Sequence, residues 1–248
     1  MVEIEKSELV FLTGLEHIDG FLEKALPEEK QIHLADVMEL FESSGHNHHD
    51  EDEHSDEDEH EDEHEDEHEN GEHHEDIHDK DPHVWLGKEN IFTIAEKIRD
   101  ELSDIIPEQA EYFSKNTEKF KTEIEEIYND FASETKGKTP TEFIVFHDAY
   151  NYLMQSAGMD LNLKVPFSEN VLHETGTAHM AKLIEEIELH GIKYVYREPQ
   201  FRDGNLQKFV DEYNLELGTL DPLGTDPSAN GYLENIKANL EALSNVYE

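Results

Sequence analysis

EFIVFHDAYNYLMQSAG, residues 142–158, runs from an unbroken apolar stretch through a His-Asp pair into a helical pattern. Glu142 to His147 therefore reads as a short buried strand whose apolar run stops at His147, and Ala149 to Gly158 as the helix behind it. Toward the C-terminus the same alternation repeats. Thr177 to His190 is a helix ended by Gly191, Ile192 to Tyr196 a strand, and Asn205 to Tyr213 a helix. Leu217 to Leu220 is a strand and Gly231 to Tyr247 a closing helix. Strand and helix in turn, joined by tight glycine connections, predict an α/β unit with a mostly parallel sheet. Ligands of such sheets gather beyond the carboxyl ends of the strands.

Toward the N-terminus, Ala110, Tyr112, Phe113, Phe120, Ile124, Ile127, Tyr128 and Phe131 recur at helical spacing on one face. They predict a helix from Glu108 to about Ala132, with Pro107 in its first turn, where a missing N–H is tolerated. At 1.5 Å per residue such a rod is roughly 37 Å long, enough to bridge two lobes. Before it come an amphipathic helix, Ile91 to Ile105, and the loop DPHVWLGKEN. Leu9 to Leu12 reads as a strand, His17 to Leu26 as a short helix closed by Pro27, and Ile32 to Met38 as another short strand or turn.

Between these parts, residues 46–80 carry ten His and 19 Asp or Glu in an irregular E-D-E-H repeat. So little of this tract is apolar that it is expected to be disordered when free of metal. Its interleaved imidazoles and carboxylates offer many borderline metal ligands. The expected division is a partial N-terminal lobe over 1–106 containing the 46–80 loop, a linking helix over 107–136, and a C-terminal lobe over 137–248.

The whole chain of 248 residues has a formal net charge of -43. A chain this acidic would repel a phosphate backbone, so nucleic acid is not an expected partner. Cysteine is absent, which removes disulfides, thiolate chemistry and Cys-type zinc fingers. No apolar stretch approaches the length needed to span a bilayer, and MVEIEKSELVFL is not a secretory signal. Neither GxGxxG nor GxxxxGK[ST] occurs, nor any Ser-His-Asp arrangement, so covalent hydrolysis and nucleotide binding find no support in the sequence.

Three residues share one positional logic. His147 follows the strand EFIVF, Asp221 follows the strand ending in ELGTL, and His83 lies in the Pro-containing loop after the tract. Two imidazoles and a carboxylate suit zinc or manganese, with water or a fourth group completing the shell. The same residues can equally cap or orient their loops. Trp85 is placed to pack a lobe interface and hold His83. Glu198, after another strand, is a candidate to accept a hydrogen bond from a ligand histidine and fix its ring, as is Asp148. His173, Glu174 and His179 in VLHETGTAHM are weaker candidates, because their spacing is not that of a zincin helix.

Taken together, SELVFLTGLEHIDGFLEKAL, the acidic His loop, DPHVWLGKENIFTIAEKI, FIVFHDAYNYLMQSAG, IKYVYREPQF and LDPLGTDPSANGYLENIKANLEAL resemble the substrate-binding proteins of ATP-driven zinc or manganese importers. The resemblance implies two α/β lobes joined by a long backbone helix, with metal in the interlobe cleft. It also implies metal ligation by His83, His147 and Asp221, Zn(2+) as the transported ligand ahead of Mn(2+), and a membrane permease as partner. A monomer outside the cytoplasmic membrane, periplasmic or extracellular, is expected with it. Set against the family pattern, the chain begins after the export signal and the segment that donates a first ligand histidine. That implies a truncated N-terminal lobe and a three-residue shell open to water or to a tract histidine. The competing functions are a zinc buffer acting through the tract and a zinc hydrolase built on the same three residues.

Overall fold

The computed structural model describes residues 6–42, 80–168, 176–201, 204–226 and 228–248. Residues 46–79 of the acidic tract, and with them its expected disorder, lie outside that set. The elements in chain order are β1 (Val10–Leu12), α1 (Glu16–Glu23), β2 (Gln31–His33), α2 (Lys88–Ile105), α3 (Ala110–Thr135), β3 (Phe143–Val145) and α4 (Asn151–Ser156). They continue with β4 (Lys164–Pro166), α5 (Thr177–His190), β5 (Tyr194–Arg197), α6 (Gly204–Tyr213), β6 (Glu216–Thr219) and α7 (Ala229–Ser244).

Two parallel sheets form: β1 with β2, and a four-stranded sheet in the order β4-β3-β5-β6. The sheet order explains the composition of β3. A central parallel strand is covered on both faces, so all of its side chains must be apolar, and Phe143, Ile144 and Val145 are each fully buried. Alternation sends them to different cores. Ile144 packs with Leu183, Val195, Leu206 and Phe209. Phe143 and Val145 pack on the opposite face with Tyr150, Leu153, Tyr196, Leu220 and Leu243.

Helix α3 spans 26 residues, about 39 Å at the α-helical rise, and packs against α2 on one side and α7 on the other. Its buried Ile124, Tyr128 and Phe131 belong to the same core as Val84 and Leu86 from the DPHVWL loop and Ile236 and Leu240 from α7. The apolar stripe read from the sequence is thus the surface that joins the two parts of the chain. Gly191 ends α5 in the left-handed region, φ 65°, as a helix-stopping glycine should. At Gly218 in β6 a Cβ would sit 2.5 Å from the ring of Tyr196, so only glycine fits beside that buried tyrosine.

Strand β4 does not appear in the sequence reading. It is three residues long and ends in Pro166, paired only with β3 at the sheet edge. Proline is tolerated there because the edge leaves one side of the strand without ladder partners.

Candidate metal centre

The carboxyl ends of three neighbouring strands converge. His147 comes two residues after β3, Glu198 directly after β5, and Asp221 two residues after β6. The parallel register, Val145 with Tyr196 and Tyr196 with Gly218, brings these positions to one end of the sheet. His83 arrives from outside it, as the residue preceding the 3-10 turn Val84–Leu86.

The structure brings His83 and His147 into contact. Their Nε2 atoms lie 3.3 Å apart. On the far side of each ring a buried carboxylate meets Nδ1: Asp81 Oδ1 at 2.7 Å from His83 and Glu198 Oε1 at 2.6 Å from His147. Asp81 and Glu198 are 3% and 1% exposed, so water does not replace either contact. An ionised carboxylate only accepts hydrogen bonds, so these contacts call for an N–H on each Nδ1, and a ring that carries no second proton turns a bare Nε2 lone pair toward the other. Two lone pairs at that distance repel unless a proton or a metal ion stands between them. Two Zn–N bonds of about 2.0–2.1 Å at a tetrahedral angle span roughly 3.3–3.4 Å, which is the separation present.

The loop bearing His83 is fixed to the C-terminal half. Asp81 Oδ2 accepts from Asn151 Nδ2 at 2.9 Å, and the Asp81 carbonyl accepts from Tyr152 Oη at 2.9 Å, both donors lying on α4. Trp85 Nε1 donates to the Pro222 carbonyl at 2.7 Å, and Tyr232 Oη donates to the Trp85 carbonyl at 2.7 Å. Trp85 therefore joins the two halves, as its position after His83 suggests, and its ring meets the His83 ring edge-on at 5.7 Å. Phe201 walls the other side, edge-on to His147 and stacked on Phe146. Burial holds the neighbouring Tyr150 hydroxyl well above its usual range, and the charges of Glu198 and Asp221 push it the same way. Tyr150 thus stays neutral.

Asp221 stands on the third converging loop. Its Oδ1 accepts from the backbone N–H groups of Leu223 and Gly224 and from Gln200 Nε2, while its carbonyl is held by Asn235 and Asn239. Among the described residues, mutual approach of three donor atoms within 4.8 Å occurs at Glu142, Glu186 and His190, and His83, His147 and Asp221 do not form such a group. Asp148, weighed beside Glu198 as a support for His147, instead pairs with Lys164. His179 contacts the Pro166 carbonyl at 2.9 Å, and His173 and Glu174 lie outside the described residues. Asp81 is the residue of this arrangement that the sequence reading passed over. Its signal was an aspartate two positions before a histidine, spacing that lets one carboxylate accept both the His83 N–H and its ring N–H.

Two parallel sheets, a long helix packed between α2 and α7, and two imidazoles that meet, one just beyond β3 and one from the loop before Val84, make up an α/β fold of the kind seen in two-lobe binding proteins. The chain belongs to the family described as Zinc-uptake complex component A periplasmic, whose model matches residues 1–246. It is 31% identical over 146 residues to the high-affinity zinc uptake system protein ZnuA of Brucella abortus, a match covering 59% of this chain and 43% of that protein. The chain therefore spans less than half the length of that curated relative. Among solved structures, a Zn(II)-bound variant of AdcAII from Streptococcus pneumoniae aligns with a TM-score of 0.73 at 19% identity, covering 100% of this chain and 83% of that one. FpvC from Pseudomonas aeruginosa in complex with Mn2+ aligns with a TM-score of 0.71 at 19% identity, covering 98% and 81%. No helix among the described residues is long and apolar enough to cross a membrane.

Proposed function

We propose that this chain captures a divalent metal ion, zinc ahead of manganese, and delivers it to the permease of an ATP-driven importer outside the cytoplasmic membrane, without catalysing a reaction. In this reading His83 and His147 are the first two ligands and Asp221 supplies a carboxylate when it swings toward them. Water or a tract histidine completes the shell. The lobe division at 106/107 and 136/137 follows the same scheme, with α3 as the link.

One observation carries the proposal: two imidazoles held in the same tautomer by buried carboxylates, with Nε2 atoms 3.3 Å apart. Nitrogen ligands of this kind suit zinc, whereas manganese prefers carboxylate and water. Manganese remains the second reading because the neighbouring FpvC structure holds Mn2+. The family match and the zinc-uptake name of the Brucella protein support zinc.

Competition calorimetry of the full chain beside a version lacking residues 46–80 tests this. One tight zinc site is expected to survive the deletion. If deletion removes all tight binding, the chain is a metal buffer working through its tract.

The carboxylate behind His147 supplies a finer test. Glu198→Gln replaces an accept-only group by an amide able to donate to Nδ1, which frees the ring to adopt the other tautomer. Zinc affinity is expected to fall about 10–100-fold, the range typical for partners of ligating histidines, with the stoichiometry of one cleft ion preserved. An unchanged affinity would reduce Glu198 to a packing residue.

A further inference from the structure

We propose that Gln200 is a specificity-determining positioning residue, whose side-chain amide holds the Asp221 carboxylate away from the paired imidazoles and so reserves the centre for ions that bind nitrogen well. The inference rests on the reading of His83, His147 and Asp221 as the metal centre, and it names what decides whether the carboxylate joins the shell.

A turn places Gln200. Glu198 follows β5, Pro199 comes next, and the Phe201 N–H donates to the Glu198 carbonyl at 3.3 Å. That closes a turn with proline in its second position, where the fixed φ of the ring favours the bend. The same turn serves both sides of the centre. Glu198 meets His147 Nδ1 at 2.6 Å, Phe201 lies edge-on to the His147 ring, and Gln200 Nε2 donates to Asp221 Oδ1 at 2.5 Å. In the sheet, β5 lies between β3, which leads to His147, and β6, which leads to Asp221. The amide thus comes from the strand that separates the two. An ionised carboxylate only accepts, so it is the N–H side of the amide that faces Asp221.

Asp221 approaches the imidazoles by turning its side chain, because its backbone is pinned to α7. Its N–H donates to Asn239 Oδ1 at 2.8 Å, and its carbonyl accepts from Asn235 and Asn239 at 3.0 and 2.8 Å. Oδ1 takes the N–H groups of Leu223 and Gly224 at 3.1 and 2.9 Å together with the Gln200 amide. The first two belong to the loop of Asp221 itself, whereas Gln200 reaches in from the loop after β5. Held in this way, Asp221 does not join His83 and His147 in a group of donor atoms within 4.8 Å.

That restraint discriminates between ions. Imidazole suits zinc, while manganese prefers carboxylate and water. With the carboxylate withheld, zinc keeps the ligands it binds best and manganese lacks the one it needs. An ion that recruits Asp221 must first break the Gln200 bond, and a hydrogen bond to a charged group is worth about tenfold or more in an equilibrium constant. The penalty therefore falls harder on manganese, and selectivity is this difference between the two affinities.

The test is competition titration of the full chain and of Gln200→Leu with zinc and with manganese, with His147→Ala run in parallel to define the contribution of the tract. Leucine keeps the bulk of glutamine and removes the donor. Because Gln200 is exposed, the variant is expected to melt with the parent chain. Manganese affinity is expected to rise about tenfold in Gln200→Leu, and zinc affinity by less, so the ratio of the two narrows. Adding Asp221→Ala should abolish the rise, a dependence that a packing role for Gln200 would not produce. An unchanged ratio, a manganese gain that persists without Asp221, or weaker binding of both ions would overturn the proposal. Tight zinc binding that survives His147→Ala would instead sink the cleft reading on which it rests. Loss of that binding in His147→Ala, beside an unmoved ratio in Gln200→Leu, removes the role of Gln200 alone.

Discussion

Replacing His147 with alanine is expected to weaken the tight zinc site of the full chain by more than about a hundredfold, beyond the range seen when only a supporting group is lost. At 25 °C that is a loss of roughly 2.7 kcal/mol or more in binding free energy. The effect is large because, among the described residues, His147 and His83 are the imidazoles whose Nε2 atoms already meet. A single nitrogen left on His83 cannot chelate. The substitution also strips Glu198 Oε1 of its 2.6 Å partner inside a nearly dry site, so the metal-free variant should melt at a lower temperature. Competition titration well below that melting temperature separates the two effects. Tight binding that persists in His147→Ala would remove the cleft from consideration and shift the search to the acidic tract.

The second large effect concerns the sheet that presents His147. Phe143→Ala should destabilise the chain by about 3–5 kcal/mol, the usual range for truncating a buried phenylalanine. Phe143 is fully buried and meets Tyr196 edge-on at 5.7 Å. Its loss opens a void between β3 and β5, the two strands that lead to His147 and Glu198. Urea denaturation with and without zinc measures the change. Leu189→Ala, at a side chain 72% exposed, serves as the neutral comparison. A Phe143→Ala loss under about 1 kcal/mol would mean that the core collapses around the gap far more freely than such cores do.

Most of the helices and strands were legible because their signals are local. The stripe on α3 and the run FIVF announce a face and a centre, and the helix from Thr177 to His190 was read to the residue because Gly191 marks its end. Strand β4 escaped because three residues ending in proline carry no alternation. A polar residue interrupts a strand's end at His147 and Asp221 and a loop motif marks His83, and of these three the structure brings the two imidazoles into contact. Asp81 was not legible, since its role depends on Asn151 and Tyr152 donating from α4, far away in sequence. The orientation of Asp221 was equally out of reach. Whether its carboxylate turns toward the histidines or stays with Leu223 and Gly224 depends on tertiary competition for the same oxygen.

The bonds that tie the His83 loop to the C-terminal half set a clock. Asp81 is held by Asn151 and Tyr152, and Trp85 by Pro222 and Tyr232. Parting the two imidazoles means breaking several of these together, each contributing about 0.5–1.5 kcal/mol. Under the proposed assignment, the lifetime of a captured ion is therefore governed by stepwise exchange of one ligand for water, with Asp221 the first to let go, rather than by the frequency of lobe opening. An acceptor that offers a competing ligand at the mouth would shorten that lifetime, while one that merely pulls on the lobes would barely change it.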